Sequence, residues 1–260
     1  MSYANIQLFP KVSYRFDSVD STNAAAIRAI NAGEWPEPGA VFWAEGQSQG
    51  RGQGGKHWHA TPGANLTVSI VAYPSHLPLH ALFALNQLAG IAVAHTVQAF
   101  LPAEWQDAVR LKWPNDVYVG QQKIAGILVQ NGLRGNQLAW SVLGIGLNVN
   151  EAAFPAELAA SATSLQILTR RAHDREAVAT QLWQALSASY ARTAPDQLAA
   201  LGDQYHHLLY RLNVAAHYRE VATGQSFQGT ILGVDAAGQL RLGLEDGTEK
   251  AFSLQQLLFL

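Results

Sequence analysis

Cysteine is absent from the 260 residues, methionine occurs once, and only 14% of the residues are charged. Without thiols there is no disulfide framework, no thiol nucleophile and no thiolate metal site. That absence fits a reducing compartment. Charge imbalance is missing too: 17 Lys and Arg against 19 Asp and Glu leave a net charge of −2. Bulk electrostatic attraction to nucleic acid or an anionic membrane is therefore not expected. No stretch reads as long and apolar enough to span a bilayer. Residues 1–10 lack a basic segment followed by an apolar core, so they do not read as a signal peptide. These absences lead to the expectation of a cytoplasmic protein with no nucleic-acid or membrane partner. What is present is a 48% share of hydrophobic residues, enough for a full core, and a length suited to one large domain plus a small one.

One stretch organises the rest: residues 110–130, RLKWPNDVYVGQQKIAGILVQ. Val117, Tyr118 and Val119 lead into Gly120 and Gln121, and the chain returns through Lys123 into Ile127, Leu128 and Val129. A short apolar run on each side of a glycine-containing turn predicts a β-hairpin. An even-numbered turn would set Tyr118 opposite Lys123 and Asp116 opposite Ala125, with all four on one face. Lys112, at the end of the first strand, adds a second cation. Charges set among Val, Ile, Leu and Trp are costly to bury without partners. Two readings follow: a half-exposed hairpin with its charges in water, or a site that holds an anion and its metal.

Around this hairpin the chain alternates elements. Val12 to Phe16 reads as a strand. Ser21, Thr22 and Asn23 precede an alanine-rich run ending at Gly33, the signature of a capped helix. Ala40 to Ala44 is a buried strand that runs into the glycine-rich segment 47–58, QSQGRGQGGKHW. Gly50, Gly52 and Gly55 match G-x-G-x-x-G, but a dinucleotide fingerprint needs a helix next. Pro62, Gly63 and a strand from Asn65 to Ala72 follow instead, which excludes that reading. Arg51 and Lys56 can still wrap an anion with cations and backbone N–H groups. His57 and His59 lack a third metal ligand and read as loop histidines. Leu79 to Phe100 has helical apolar spacing, Gln137 to Asn150 is another buried strand, and helices are expected over 174–194 and 195–209. From about residue 212 short strands follow, over 214–218, 228–234, 239–244 and 249–252, separated by turn signals. The expected class is α+β: a mixed or antiparallel sheet with helices packed on one face, over residues 1–210, and a small β-barrel over 211–260.

Four pieces now stand in fixed order: DSTN at 20–23; GRG at 50–52 with Trp58 and PGANL at 62–66; KWPND at 112–116 with KIAGILV at 123–129; and GIGLNV at 144–149. Together they resemble the biotin–protein ligases, in the short form without an N-terminal DNA-binding domain. The resemblance implies an SH3-like C-terminal barrel and a two-step reaction. Biotin is activated by ATP as biotinyl-5′-AMP, then passed to one lysine of a biotin carboxyl carrier protein, a subunit of acetyl-CoA carboxylase. It further implies that Lys123, Arg51 and Lys112 are catalytic. Biotin would be held by Ser21, Thr22, Asn23, Gln47, Arg51, Gly52, Gln53, Lys123 and Gly126. The nucleotide would be held by Arg51, Lys56, Trp58, Lys112, Asn115 and Asn148, and magnesium by Asp116.

The residue types suit these roles. A carboxylate approaching a polyphosphate needs cations where charge builds, and a hard oxygen ligand suits magnesium. Polar groups from 21–23 and Gln47 complement a ureido ring. Departures from the family pattern are Gln53 where Arg is common, Lys56 for Arg and Gln130 for Glu. A neutral amide at 53 implies weaker retention of the adenylate. Only 19 residues precede Asp20, so operator binding is not expected. The rivals are a lipoate or octanoate ligase or transferase of the same fold, and a non-catalytic biotin sensor. Monomer and homodimer both remain open.

Overall fold

The computed structural model describes residues 7–260. Of the stretch read as lacking a signal peptide, residues 1–6 lie outside it.

The strands are β1 (Lys11–Val19), β2 (Ala40–Gln47), β3 (Leu66–Ala72), β4 (Val109–Lys112), β5 (Asp116–Val119), β6 (Gln122–Arg134) and β7 (Gln137–Leu147). They form one sheet in the order β1-β2-β3-β7-β6-β5-β4. The β1–β2 pair is parallel, joined through helix α1 (Thr22–Asn31), and every other pair is antiparallel. The sheet is thus mixed, as expected.

β3 is buried along its whole length because both of its faces are covered. Leu66, Val68 and Ile70 meet the main core, to which α2 (Ala84–Phe100), α6 (Arg175–Tyr190) and α7 (Leu198–His207) contribute. Val71 turns the other way, to join Phe42 and Val142 under Ala26, Ala29 and Ile30 of α1. Helices α2, α6 and α7 therefore share one face, and α1 sits alone on the other. Three brief helices, α3 (Ala103–Gln106), α4 (Ala156–Ala159) and α5 (Leu165–Thr169), fill connections.

One expectation is corrected here. Residues 79–100 are long and apolar enough, by length and composition, to cross a bilayer. The most apolar part of that stretch is 72% buried inside the fold, where α2 is covered by sheet, α6 and α7. Leu85, Leu88, Ile91, Val93 and Val97 are fully enclosed, so the helix is apolar because it is central.

After α7 come β8 (Ala215–Glu220), β9 (Ser226–Val234), β10 (Leu240–Leu244), β11 (Glu249–Phe252) and β12 (Leu257–Phe259). They form an antiparallel sheet in the order β11-β10-β9-β8-β12, curled around Tyr218, Ile231, Leu240, Leu242 and Phe252. β12 was not foreseen, being three residues long. Among the described residues no ladder joins β11 to β12, so the barrel stays open along that seam. Its core is continuous with that of the larger sheet. The link is close to the central hairpin: Leu111 N donates to Leu208 O at 2.8 Å, and Tyr210 N to Leu111 O at 2.8 Å.

Candidate active site

The β5–β6 hairpin departs from its expected register, and the departure builds the site. Tyr118 pairs with Lys123 as predicted, but Asp116 pairs with Gly126 rather than Ala125. A β-bulge between Val117 and Tyr118 absorbs one extra residue of β6. Ile124 and Ala125 are both fully buried as a result. Lys123 and Gly126, three apart, then lie on the same face as Asp116. The Lys123 ammonium comes 2.6 Å from Asp116 Oδ1. The contact is one of charge, since it lacks hydrogen-bond geometry and leaves that buried oxygen without a donor. Both side chains are about a quarter exposed, so the pair is not sealed in the core, and Lys123 lines a cleft.

That cleft is floored by β6 and β7. A Cβ on Gly146 would lie 2.4 Å from the Trp58 ring, and one on Gly144 would lie 2.3 Å from Asn23 Oδ1. Only glycine lets the indole and the amide rest on these strands. Gly126 lies beneath Trp58 and the Lys123 side chain, and the Lys123 ammonium is 5.6 Å from the indole centroid. The indole forms part of the lining of the cleft. The indole Nε1 is buried and has no partner.

At one end of the cleft α1 presents its first turn. Ser21 occupies the N-cap, but its side chain makes no capping bond, contrary to the capping expectation. Thr22 and Asn23 point into the sheet instead. Thr22 N and Oγ1 donate to Gln47 Oε1 at 2.8 and 3.1 Å. Ser69 Oγ lies 2.7 Å from Thr22 Oγ1 and 2.6 Å from Asn23 Oδ1. Asn23 Nδ2 donates to Leu128 O at 3.1 Å and to Gln130 Oε1 at 2.8 Å. A connected polar chain at the edge of an apolar core holds each member in one orientation.

Ser21, Thr22, Asn23, Gln47, Arg51, Gly52, Trp58, Asn115, Lys123 and Gly126 all line the cleft. Thr67, Val68, Ile127, Leu128 and Ile145 line it as well, unforeseen because they read as core strand. Gln53, Lys56, Lys112, Asp116 and Asn148 lie outside that lining. Gln53 sits in a 3-10 turn, Gln53–Gly55, and exposed Lys56 accepts from Gly52 N through its carbonyl. Asn115 is held by its amide to Ile127 O at 2.8 Å. Asn148 is buried, donates to Thr163 O at 3.0 Å and keeps Oδ1 unpartnered.

Lys112 is packed in the junction with the barrel. Its ammonium donates to Tyr118 Oη at 3.3 Å and lies 4.8 and 5.0 Å from the rings of Tyr118 and Phe259. Burial lowers its pKa; Asp116 opposes this, while Arg211, Lys123 and Lys56 add to the lowering. Burial, with help from Asp116 and Tyr210, pushes the Tyr118 hydroxyl up to about 12. Among the described residues no three His, Cys, Asp or Glu gather as a metal cage. His57 is instead paired with Arg51 through the backbone. Asp116, whose Oδ1 meets the Lys123 ammonium but accepts no hydrogen bond, suits a cation that takes one carboxylate from the protein and the rest of its ligands from phosphates and water.

Residues 15–148 match the family model described as "Biotin/lipoate A/B protein ligase family". A biotin–[acetyl-CoA-carboxylase] ligase of Mycobacterium tuberculosis is 35% identical over 228 residues, covering 85% of this chain and 79% of its own. The bifunctional ligase/repressor BirA of Bacillus subtilis is 28% identical over 239 residues, covering 91% and 71%. In three dimensions the chain is similar to the biotin protein ligase from Aquifex aeolicus in complex with biotin and ATP. The TM-score is 0.76 at 24% identity, over 96% of this chain and 100% of that one. At that identity the likeness speaks to the fold.

Proposed function

Because the chain belongs to the biotin/lipoate A/B protein ligase family, we propose that it is an ATP-dependent biotin–protein ligase acting through biotinyl-5′-AMP on a biotin carboxyl carrier domain. The observation that carries this reading is the bulged hairpin, which brings Lys123 and Asp116 to one point at a glycine-floored cleft. In the first step the carboxylate of biotin attacks the α-phosphorus of ATP. A P–O bond forms, the bond to the β-phosphate oxygen breaks, and pyrophosphate leaves. In the second, the ε-amine of a carrier lysine attacks the acyl carbon, AMP leaves, and the amine loses a proton.

Two anions must meet in the first step. Lys123 would sit between the carboxylate and the α-phosphate, where negative charge rises in the transition state. Arg51, on the loop above the cleft, would hold the same phosphate through guanidinium donors. The Thr22–Gln47 and Ser69–Asn23 bonds would pre-orient polar groups for the ureido ring, and a ligand lacking that ring would forgo those contacts. Asn115, Asn148 and Trp58 would frame the nucleotide, with Lys112 and Lys56 nearby as cations. Asp116 would hold magnesium, which when bound supplies positive charge to the triphosphate. The second step needs positioning above all, because the adenylate is already activated.

Exchange of labelled pyrophosphate into ATP tests the first step. Exchange should depend on biotin and be absent with lipoate or octanoate. Exchange driven equally by lipoate would contradict the assignment.

A further inference from the structure

The segment 47–58 is tied down at both ends. At its entry Ser48 N donates to Val19 O and Gln49 N to Asp20 O, at 2.9 and 2.8 Å. At its exit the tie is a carboxylate. Glu151, only 4% exposed, follows β7 by a few residues. Its Oε2 accepts from Thr61 N at 3.0 Å and from Asn65 Nδ2 at 2.6 Å, and its Oε1 accepts from the Thr61 hydroxyl.

The surrounding bonds extend this anchor. Asn65 Oδ1 accepts from Val149 N at 2.9 Å, Asn150 N donates to Ala64 O at 2.9 Å, and the Glu151 carbonyl accepts from Ser164 Oγ at 2.7 Å. No ion pair among the described residues includes Glu151. A buried carboxylate is costly to keep without a counter-charge, and its donors here offset that cost only in this arrangement. Burial alone would raise its pKa; the Thr61 and Asn65 donors outweigh burial and hold it below the usual glutamate range.

Thr61 stands three residues beyond Trp58, whose indole lies on Gly146 of the same strand, β7. We propose that Glu151 is a positioning residue, which fastens the exit of segment 47–58 to the end of β7 and thereby sets Trp58 and Arg51 over the cleft. Its consequence for the adenylate rests on the function proposed above, whereas the fastening itself does not.

Trypsin cleavage after Arg51 and Lys56 in the unliganded full-length chain tests the fastening. Rates are taken relative to cleavage after Arg134, the last residue of β6 before the β6–β7 turn. Glu151→Gln presents only one acceptor oxygen to three donors, and Thr61→Val removes one donor. Each should raise the relative rate about tenfold, the double variant should be no faster than either single one, and Thr61→Ser should match the wild type. Should Glu151→Gln fail to fold, Thr61→Val decides the matter. Unchanged rates, or a rise shared equally by the Arg134 site, would overturn the proposal and leave Glu151 an ordinary stabilising residue. With biotin and MgATP, the same variants should release biotinyl-AMP about tenfold faster. If the wild type forms no adenylate, the functional reading fails, and the cleavage comparison still decides the latch.

Discussion

Lys123 is the residue to which the proposed function assigns the central chemistry. Its ammonium touches Asp116, approaches Trp58 and lies over Gly126, so three pieces of sequence meet at one atom. Replacing it with methionine keeps the length of the side chain and removes the charge. Adenylate formation by Lys123→Met should fall by about 10²–10³-fold, the range typical of losing a group that stabilises developing charge. Quenched-flow measurement of biotinyl-AMP checks this. A loss under tenfold would move Lys123 out of the catalytic role. The pairing of Asp116 with Lys123 was legible in the sequence, since both charges flank a clear turn. Their register was not, because a period of two cannot reveal a bulge. The signal was the adjacent apolar pair Ile124 and Ala125, both of which needed the core. Glu151 and Ser69 went unseen for a different reason. Their partners, such as Thr61 for Glu151 and Asn23 for Ser69, lie tens of residues away, and local pattern says nothing of such contacts.

At the level of elements, the turn between β9 and β10 joins the barrel to the connection between β4 and β5. Trp113 Nε1 donates to Gly238 O at 2.9 Å, and Gly238 has φ of +86° with Phe83 pressed against it. A Cβ there would lie 2.6 Å from the Phe83 ring. Gly238→Ala should therefore cost about 1–3 kcal/mol, from overpacking and an unfavourable backbone region together. Because Trp113 lies between Lys112 and Asn115 in sequence, the variant should also slow adenylate formation. Urea denaturation alongside the pyrophosphate exchange assay reads both effects; an unaltered midpoint would mean that the turn is not wedged. The sequence marked this turn through Ala237 and Gly238 but not its contact, for a β-turn signal carries no address. The helices were read well where apolar spacing was regular, as in α2. The short strand β12, three residues long, left no periodicity to find.

Taken whole, the molecule is a mixed seven-stranded sheet that keeps α2, α6 and α7 on one face and opens the other beside α1 as a cleft. The small barrel leans on the hairpin side and shares its core. Lys123 and Arg51 line the cleft, and Asp116 meets Lys123 at its edge. The most direct test of the account is the mass of a biotin carboxyl carrier domain incubated with this protein, biotin, ATP and magnesium. The account predicts a gain of one biotinyl group on a single lysine, dependent on ATP and lost with Lys123→Met. A carrier domain that stays unmodified while the protein binds biotin tightly would contradict it.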